Sequence, residues 1–256
     1  MGNSDVKTTP SRGILLKKFG LFSVIYLVIS LAVLTSEYFF RVYPVFYYFL
    51  KPLIVVSLMA YYLYISRARG GMFDLMMLMA LLFSLAGDIL LMFSGETWFI
   101  AGVGAFLIAQ LCYISLFGLT ARSTPQHVRR VLVRKPWLII PFVLYGAVLV
   151  GYIFPSLEAL LIPVLVYSTA LVMMVLAAAN RWKFTSYKSF ALVFAGAVLF
   201  MLSDSMIAVG RFGKMELPDL LVRFWIMGTY MAAQFLIVWG ILIERKTPKP
   251  QVLGMN

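Results

Sequence analysis

Eight runs of apolar residues, each about as long as a bilayer is thick, constrain this chain more than any other feature. A membrane-spanning helix needs about 20 such residues, because each residue advances the helix by about 1.5 Å. The chain is 62% hydrophobic and 12% charged, whereas soluble domains are roughly 25% charged. The sequence therefore predicts an all-α integral membrane protein, a bundle of eight transmembrane helices. These helices are predicted at 19–40, 42–65, 72–93, 97–120, 137–155, 157–179, 188–210 and 219–243.

The 22 lysines and arginines fall mostly on one side of the predicted helices. The amino-terminal arm, the loops near Arg67, Arg129 and Arg181, and the tail hold 17 of them. The remaining five are Arg41, Lys51, Arg211, Lys214 and Arg223. Because basic loops stay in the cytoplasm, both termini are expected there, and in a bacterium the membrane would be the plasma membrane. The predicted division is a basic arm at 1–18, a membrane domain at 19–243 and a tail at 244–256.

The formal charge of +12 is explained by this topology and by contact with anionic lipid, so no nucleic-acid partner is expected. The chain has one cysteine, Cys112, and one histidine, His127, which lies in a basic loop. This excludes a disulfide framework, a Cys- or His-rich metal site, and a Ser-His or Cys-His catalytic pair within the membrane. No cofactor is expected, and a hard cation between two carboxylates is the alternative left open.

Asp88 and Asp204 lie inside predicted helices that carry almost no other charge, in LLFSLAGDILLM and GAVLFMLSDSMIAVG. A carboxylate at the centre of a spanning helix costs roughly 2.5 to 3.5 kcal/mol on insertion scales, so such residues usually face a protein interior or a water-filled cavity. Both predicted helices run outward, and each aspartate lies about 7 to 10 Å from the outer end of its helix. We therefore expect a polar site between helices that opens toward the outer leaflet.

Other polar residues accompany the two aspartates in the predicted bundle. Lys51 is predicted at about the same depth as the aspartates, and Ser84 and Ser203 lie in the same helices as them. Four residues are predicted nearer the midplane: Gln110, Tyr113, Tyr230 and Gln234. Spacings of three or four residues place several of them on shared helix faces, as with Tyr230 and Gln234. They either bind water or substrate, or hydrogen-bond one another to hold helices together, and helix contacts are favoured for Ser84 and Ser203. Glu37, by contrast, lies at an outer helix end, where a solvated carboxylate is expected.

The two halves of the chain contain similar short segments in the same order. LFSLAGD precedes a helix containing IAQLCY, and LFMLSD precedes a helix containing AAQFLI. Internally repeated membrane proteins often place their sites where corresponding segments of the two halves meet. The sequence thus raises the hypothesis of two related four-helix halves, each of which contributes one aspartate.

At these residues the chain resembles the YhhN/lysoplasmalogenase-like family of multi-spanning membrane proteins. The family pattern includes Lys-Pro-Leu, Ser-x-x-Gly-Asp, His-x-x-Tyr, Ser-Asp and a late Tyr-x-x-x-Gln. The matching segments are FLKPLIVV with Lys51, LLFSLAGDILL with Ser84, Gly87 and Asp88, LFMLSDSMIA with Ser203 and Asp204, and GTYMAAQFLI with Tyr230 and Gln234. In IAQLCY, Gln110 stands where the family usually has His. The resemblance covers nearly the whole chain.

The resemblance implies hydrolysis of the vinyl ether of a lysoplasmalogen, a lysophospholipid, to a fatty aldehyde and a glycerophospho-base. That reaction needs an acid and a base but no nucleophilic serine. Asp88 and Asp204 are the expected pair, without a decision on which is the acid. Lys51 either lies beside the base or binds the lipid phosphate.

Two other function classes stay open at this point. One is a proton-coupled or lipid transporter, in which the same acids carry protons or a cation. The other is a noncatalytic lipid-binding protein, which applies if Gln110 has disabled an ancestral site. Besides membrane lipid, a second copy of the chain in a homo-oligomer is a further candidate partner.

Overall fold

The computed structural model describes residues 12–39, 44–66, 70–122, 131–213 and 218–246. Within these ranges the chain is helical and contains no β-strand. Single 3₁₀ turns at Pro136–Ile139, Phe154–Ser156 and Glu158–Leu160 flank two of the helices. The helices are α1 (Arg12–Tyr38), α2 (Pro44–Ser66), α3 (Met72–Leu90), α4 (Glu96–Arg122), α5 (Val131–Arg134), α6 (Ile140–Ile153), α7 (Leu161–Ala179), α8 (Tyr187–Phe212) and α9 (Asp219–Lys246).

Within the described ranges, eight segments are long and apolar enough to cross a membrane. They are built on α1 to α4 and α6 to α9, so the predicted all-α fold with eight spanning helices is confirmed. Helix ends differ from the prediction at two places that concern the arm and the site. α1 begins at Arg12, rather than at residue 19, and so includes part of the predicted arm. α3 ends at Leu90, rather than at residue 93, so Asp88 lies closer to its helix end than expected. The predictions for Arg41, Arg67, His127, Arg129 and Lys214 lie outside the described residues.

Contacts at the helix ends show how the first and last spanning helices are arranged. The ring of Phe19, in α1, stacks on Trp239, in α9, with centroids 4.1 Å apart. At the opposite ends of the same two helices, Arg223 Nη1 lies 3.4 Å from Glu37 Oε2. α1 and α9 are therefore antiparallel. The end of α1 that carries Glu37 and the end of α9 that carries Arg223 lie at one face of the bundle. We call the face that holds Glu37 and Arg223 the outer face, after the predicted orientation.

Glycines bring two pairs of helices into close contact. A Cβ on Gly87 of α3 would lie 2.5 Å from the ring of Phe106 in α4. A Cβ on Gly196 of α8 would lie 2.8 Å from the backbone oxygen of Ala233 in α9. Small residues are favoured at such crossings because they let two helix backbones approach. The two contacts hold the helices that carry Asp88 and Asp204 against their neighbours.

The core lies among α2, α3, α4, α7, α8 and α9. Its largest fully buried apolar side chains include Leu58, Met77, Phe117 and Phe200. By contrast, Ile153 is the one buried residue of α6. α6 therefore lies at the periphery of the bundle.

Candidate functional site

Asp88 and Asp204 both lie in the interior of the bundle, where they are 3% and 5% exposed. Tyr230 Oη donates a hydrogen bond to Asp88 Oδ2 over 2.7 Å. Asp204 Oδ2 accepts hydrogen bonds from Tyr167 Oη over 2.5 Å and from Gln110 Nε2 over 3.3 Å. The two carboxyl groups also lie close enough to interact electrostatically. The structure thus brings together the two acids that the sequence singled out.

A chain of hydrogen bonds extends from Asp88 across three helices. Gln234 Nε2 donates to Tyr230 Oη over 3.3 Å, and Tyr113 Oη donates to Gln234 Oε1 over 2.6 Å. α3, α4 and α9 are joined in this way by side chains that are all buried. Buried polar groups in a membrane must find partners, and here the tyrosine and glutamine residues supply them for one another.

Tyr167 of α7 is the residue of this site that sequence reasoning missed. It is a tyrosine in the apolar run LIPVLVYSTALV, and its hydroxyl contacts a carboxylate 37 positions away in the chain. The available signal was a polar ring at the middle of an apolar helix. Gln110, on the other side of Asp204, is completely buried, and its Oε1 finds no hydrogen-bond donor among the described residues.

The two predicted serines lie beside the aspartates in their helices. Ser203 Oγ donates to the backbone oxygen of Ile226 over 3.0 Å, which joins α8 to α9. Ser84 is completely buried, one turn before Asp88 in α3. The bond of Ser203 is a helix–helix contact of the kind favoured for it.

Lys51 approaches the site from α2, as its position in the sequence suggested. It is 7% exposed, lies 5.4 Å from the ring centre of Tyr47, and interacts electrostatically with Asp88. Glu37 also interacts with Lys51. The expectation of a solvated Glu37 is wrong, because Glu37 is 4% exposed and pairs with Arg223.

A polar cavity of about 690 Å³ opens at the outer face, and we call it the vestibule. Its walls carry charges of both signs, with three cationic and two anionic side chains. These are Lys51, Arg211, Arg223, Glu37 and Asp219.

A second cavity, of about 300 Å³, lies between α4, α6, α7 and α8, and we call it the chamber. Its walls are almost entirely apolar, and Asp204 and Tyr167 are among the few polar residues that line it. Asp88 lines neither the vestibule nor the chamber and is linked to the vestibule through its interaction with Lys51.

Among the residues that the structure describes, no three His, Cys, Asp or Glu side chains come together in a group that could hold a metal ion. The expectation that no cofactor is needed stays a prediction.

The fold and this site define a class: a multi-spanning membrane protein with two carboxylic acids buried between its helices. More particularly, the chain belongs to the YhhN family, whose model matches residues 46–241. That match includes both aspartates and every other predicted site residue.

Two curated relatives were found, the proteins named lysoplasmalogenase of Mycobacterium bovis and of Mycobacterium tuberculosis. Each is 37% identical to this chain over 173 residues, which are 66% of this chain and 61% of the relative. The match therefore spans less than two thirds of each relative. No solved structure matches this chain.

Proposed function

We propose that the protein is a lysoplasmalogenase-type ether hydrolase, which cleaves the vinyl ether of a lysoplasmalogen within the membrane. Membership of the YhhN family and the name of the two Mycobacterium relatives support this reaction class. The observation that carries the proposal is the pair of buried acids, Asp88 and Asp204, one of which lines an apolar cavity. Buried pairs of carboxyl groups are a recurring source of acid and base at enzyme active sites.

The reaction requires a proton donor and an activated water. Protonation of the vinyl β-carbon forms a C–H bond and leaves an oxocarbenium ion at the carbon attached to oxygen. Water adds to that carbon and loses a proton to the base, which gives a hemiacetal. The hemiacetal hydroxyl then gives its proton to the ionised acid and becomes the aldehyde carbonyl. At the same time the C–O bond to the glycerol breaks, and the protonated base returns its proton to the leaving oxygen, which releases a fatty aldehyde and a glycerophospho-base. One water is consumed, and the acid and the base are regenerated.

The surroundings of the two aspartates differ in a way that suits these two roles. Asp204 lines the chamber, so in this proposal it is the acid that meets the vinyl carbon. Lys51 compensates the charge that an ionised Asp88 carries inside the bundle, so Asp88 is the base. Gln110 donates a hydrogen bond to Asp204 but does not titrate near neutral pH, so it orients the carboxyl group and leaves the proton transfers to the aspartates.

The test is aldehyde release from a lysoplasmenyl lipid by purified protein in detergent, with Asp88→Asn and Asp204→Asn beside the wild type. A lost general acid or base lowers the rate about 10²- to 10⁴-fold. Glu96→Gln, at the exposed start of α4, is the matched control and retains the wild-type rate. Undiminished release by either folded Asn variant contradicts the proposal. Flux across liposomes without chemical change would instead indicate a transporter, and stabilisation by lipid without turnover a noncatalytic binding protein.

For the orientation we retain the proposal that both termini lie in the cytoplasm, with 1–18 as an arm and 244–256 as a tail. The excess of basic residues in the loops on that side supports it. Labelling of single introduced cysteines in a Cys112→Ala background with a membrane-impermeant thiol reagent tests it. Rapid labelling of the termini from the outside would contradict it.

A further inference from the structure

The chamber has the dimensions and the lining of a site for a hydrocarbon chain. Ligand cavities in proteins are commonly about 300 to 1,000 Å³ and mostly apolar, a range that includes both the chamber and the vestibule. α4, α6, α7 and α8 all contribute to the chamber walls. Representative residues are Val103, Gly104, Leu107, Leu149, Val166 and Ala208.

The chamber adjoins the vestibule. Leu91, Phe99 and Ile207 line both cavities, so one boundary separates apolar walls from charged ones. A molecule that fills the two cavities together must carry an apolar chain at one end and a charged group at the other. Because the vestibule walls carry both cations and anions, they complement a group with both signs of charge, such as a phosphate joined to an amine.

We propose that the chamber holds the single hydrocarbon chain of a lysolipid whose zwitterionic headgroup lies in the vestibule, and that the space beside Gly104 sets the accepted chain length. The identity of the lipid rests on the proposed function, whereas the placement of its hydrocarbon chain rests on the two cavities. With the chain in the chamber, its polar end lies toward the vestibule, and Asp204 lies at the chamber wall.

Gly104 is where the chamber can be narrowed with the least disturbance. A Cβ built on Gly104 meets no heavy atom within 4 Å, so a larger side chain there enters open space. Gly118 is a matched control, because it lies in the same helix, is equally open, and does not line the chamber. Gly104→Leu and Gly118→Leu thus add the same apolar bulk to α4 at two places, of which one is the chamber.

The experiment measures binding of saturated alkyl-ether lysophosphocholines, which lack the vinyl group and so are not cleaved by the proposed reaction. Affinities of an octyl and a hexadecyl probe are compared in a nonionic detergent by ligand-dependent thermal stabilisation. For wild type and Gly118→Leu we expect tighter binding of the hexadecyl probe. For Gly104→Leu we expect this preference to shrink by about fourfold for each methylene excluded from the chamber.

A second pair of variants guards against misfolding of Gly104→Leu. Ile100, which lines the chamber, and Ile108, which does not, are 45% and 41% exposed in α4. Ile100→Trp should reduce the hexadecyl preference, and Ile108→Trp should preserve it. An unchanged preference in folded Gly104→Leu and Ile100→Trp overturns the proposal, and so does an equal loss in the two control variants.

Two further outcomes separate this inference from the proposed function. Chain-length-dependent binding that is lost in Gly104→Leu, in a protein that releases no aldehyde, supports the chamber assignment and removes the hydrolase. The other outcome is that a diacyl phosphocholine stabilises the protein as much as the hexadecyl probe does, in wild type and in Gly104→Leu alike. That result would identify a bilayer lipid as the occupant and overturn the assignment of a single-chain ligand.

Discussion

Tyr167 donates a hydrogen bond of 2.5 Å to Asp204 Oδ2, and so links α7 to α8 inside the bundle. Both residues line the chamber, so this bond lies at the wall where the proposed substrate chain would end. Gln110 donates to the same oxygen over 3.3 Å. Together the two donors fix the orientation of the Asp204 carboxyl group relative to the chamber.

Tyr167→Phe should lower the rate of vinyl-ether hydrolysis and leave the KM for the lysolipid nearly unchanged. The ring still fills its space, but Asp204 loses the donor that orients it. Asp204 becomes charged as it gives up its proton, and a hydrogen bond to a charged group contributes about 1.5 to 3 kcal/mol, so kcat should fall about 10- to 100-fold. The measurement is steady-state aldehyde release at several lipid concentrations.

Tyr187→Phe is the control for this change, because Tyr187 is 74% exposed at the start of α8. It should leave both kinetic parameters at the wild-type values. A rise in KM without a fall in kcat for Tyr167→Phe would show that the hydroxyl contributes to lipid binding rather than to positioning Asp204.

Asp74 and Arg245 form an ion pair at the face opposite the vestibule. Arg245 Nη2 lies 3.1 Å from Asp74 Oδ2, and Tyr62 Oη donates to Asp74 Oδ1 over 2.7 Å. Asp74 is buried and Arg245 is partly exposed, so removal of Arg245 leaves the carboxylate buried without its cationic partner, at a cost below the roughly 3 to 5 kcal/mol of a fully buried pair. Arg245→Met should therefore lower the thermal unfolding temperature in detergent, and Asp74→Asn combined with Arg245→Met should recover part of the loss. Equal unfolding temperatures for the single and double variants would contradict this coupling.

The properties that the sequence predicted correctly are local ones. A spanning helix is recognisable from the length of one apolar run, so all eight were found. A charged residue inside such a run is conspicuous without its partners, which is why Asp88 and Asp204 stood out. Lys51 was placed near them from its depth alone, and its electrostatic interaction with Asp88 is consistent with that depth.

Properties that depend on distant parts of the chain were missed. Glu37 is buried beside Arg223, which lies 186 positions further along the chain. Nothing near Glu37 in the sequence indicates that contact. Gln110 and Tyr113 share a helix face by their spacing, yet they reach different partners, since Gln110 bonds to Asp204 and Tyr113 to Gln234. Helical spacing fixes the direction of a side chain but not the helix that it meets.

Gly240 should be intolerant of a single added methyl group. A Cβ at this position of α9 would lie 2.6 Å from the Val193 side chain and 3.0 Å from the backbone oxygen of Ser189, both in α8. Since α8 would have to move away, Gly240→Ala should destabilise the protein by about 1 to 3 kcal/mol. Gly228→Ala is the control in the same helix, because a Cβ there meets nothing within 4 Å. Thermal unfolding of both variants in detergent is the measurement, and equal midpoints would refute the close packing of α8 on α9.

Arg181 is fully buried between α7 and α8, outside the spanning segments. Its guanidinium donates to Thr120 Oγ1 over 3.1 Å and to Ser189 Oγ over 2.9 Å. Burial lowers the pKa of Arg181 from its usual value to about 10. The unfolded chain therefore holds this proton more tightly than the folded protein does, and burial of the charge opposes folding at all pH values below about 10.

This opposition should be relieved as the pH rises through about 10 toward the pKa of an arginine in the unfolded chain, so the contribution of Arg181 to stability increases with pH over that window. Relative to Arg181→Met, which carries no charge, the wild type should gain about 1 kcal/mol of unfolding free energy between about pH 9 and pH 11. Lysines and tyrosines titrate in both proteins, so their effects cancel in the difference. The measurement is denaturant unfolding in detergent, followed by the helical circular dichroism signal. A difference that does not change with pH would mean that Arg181 keeps its proton in the folded protein throughout this range.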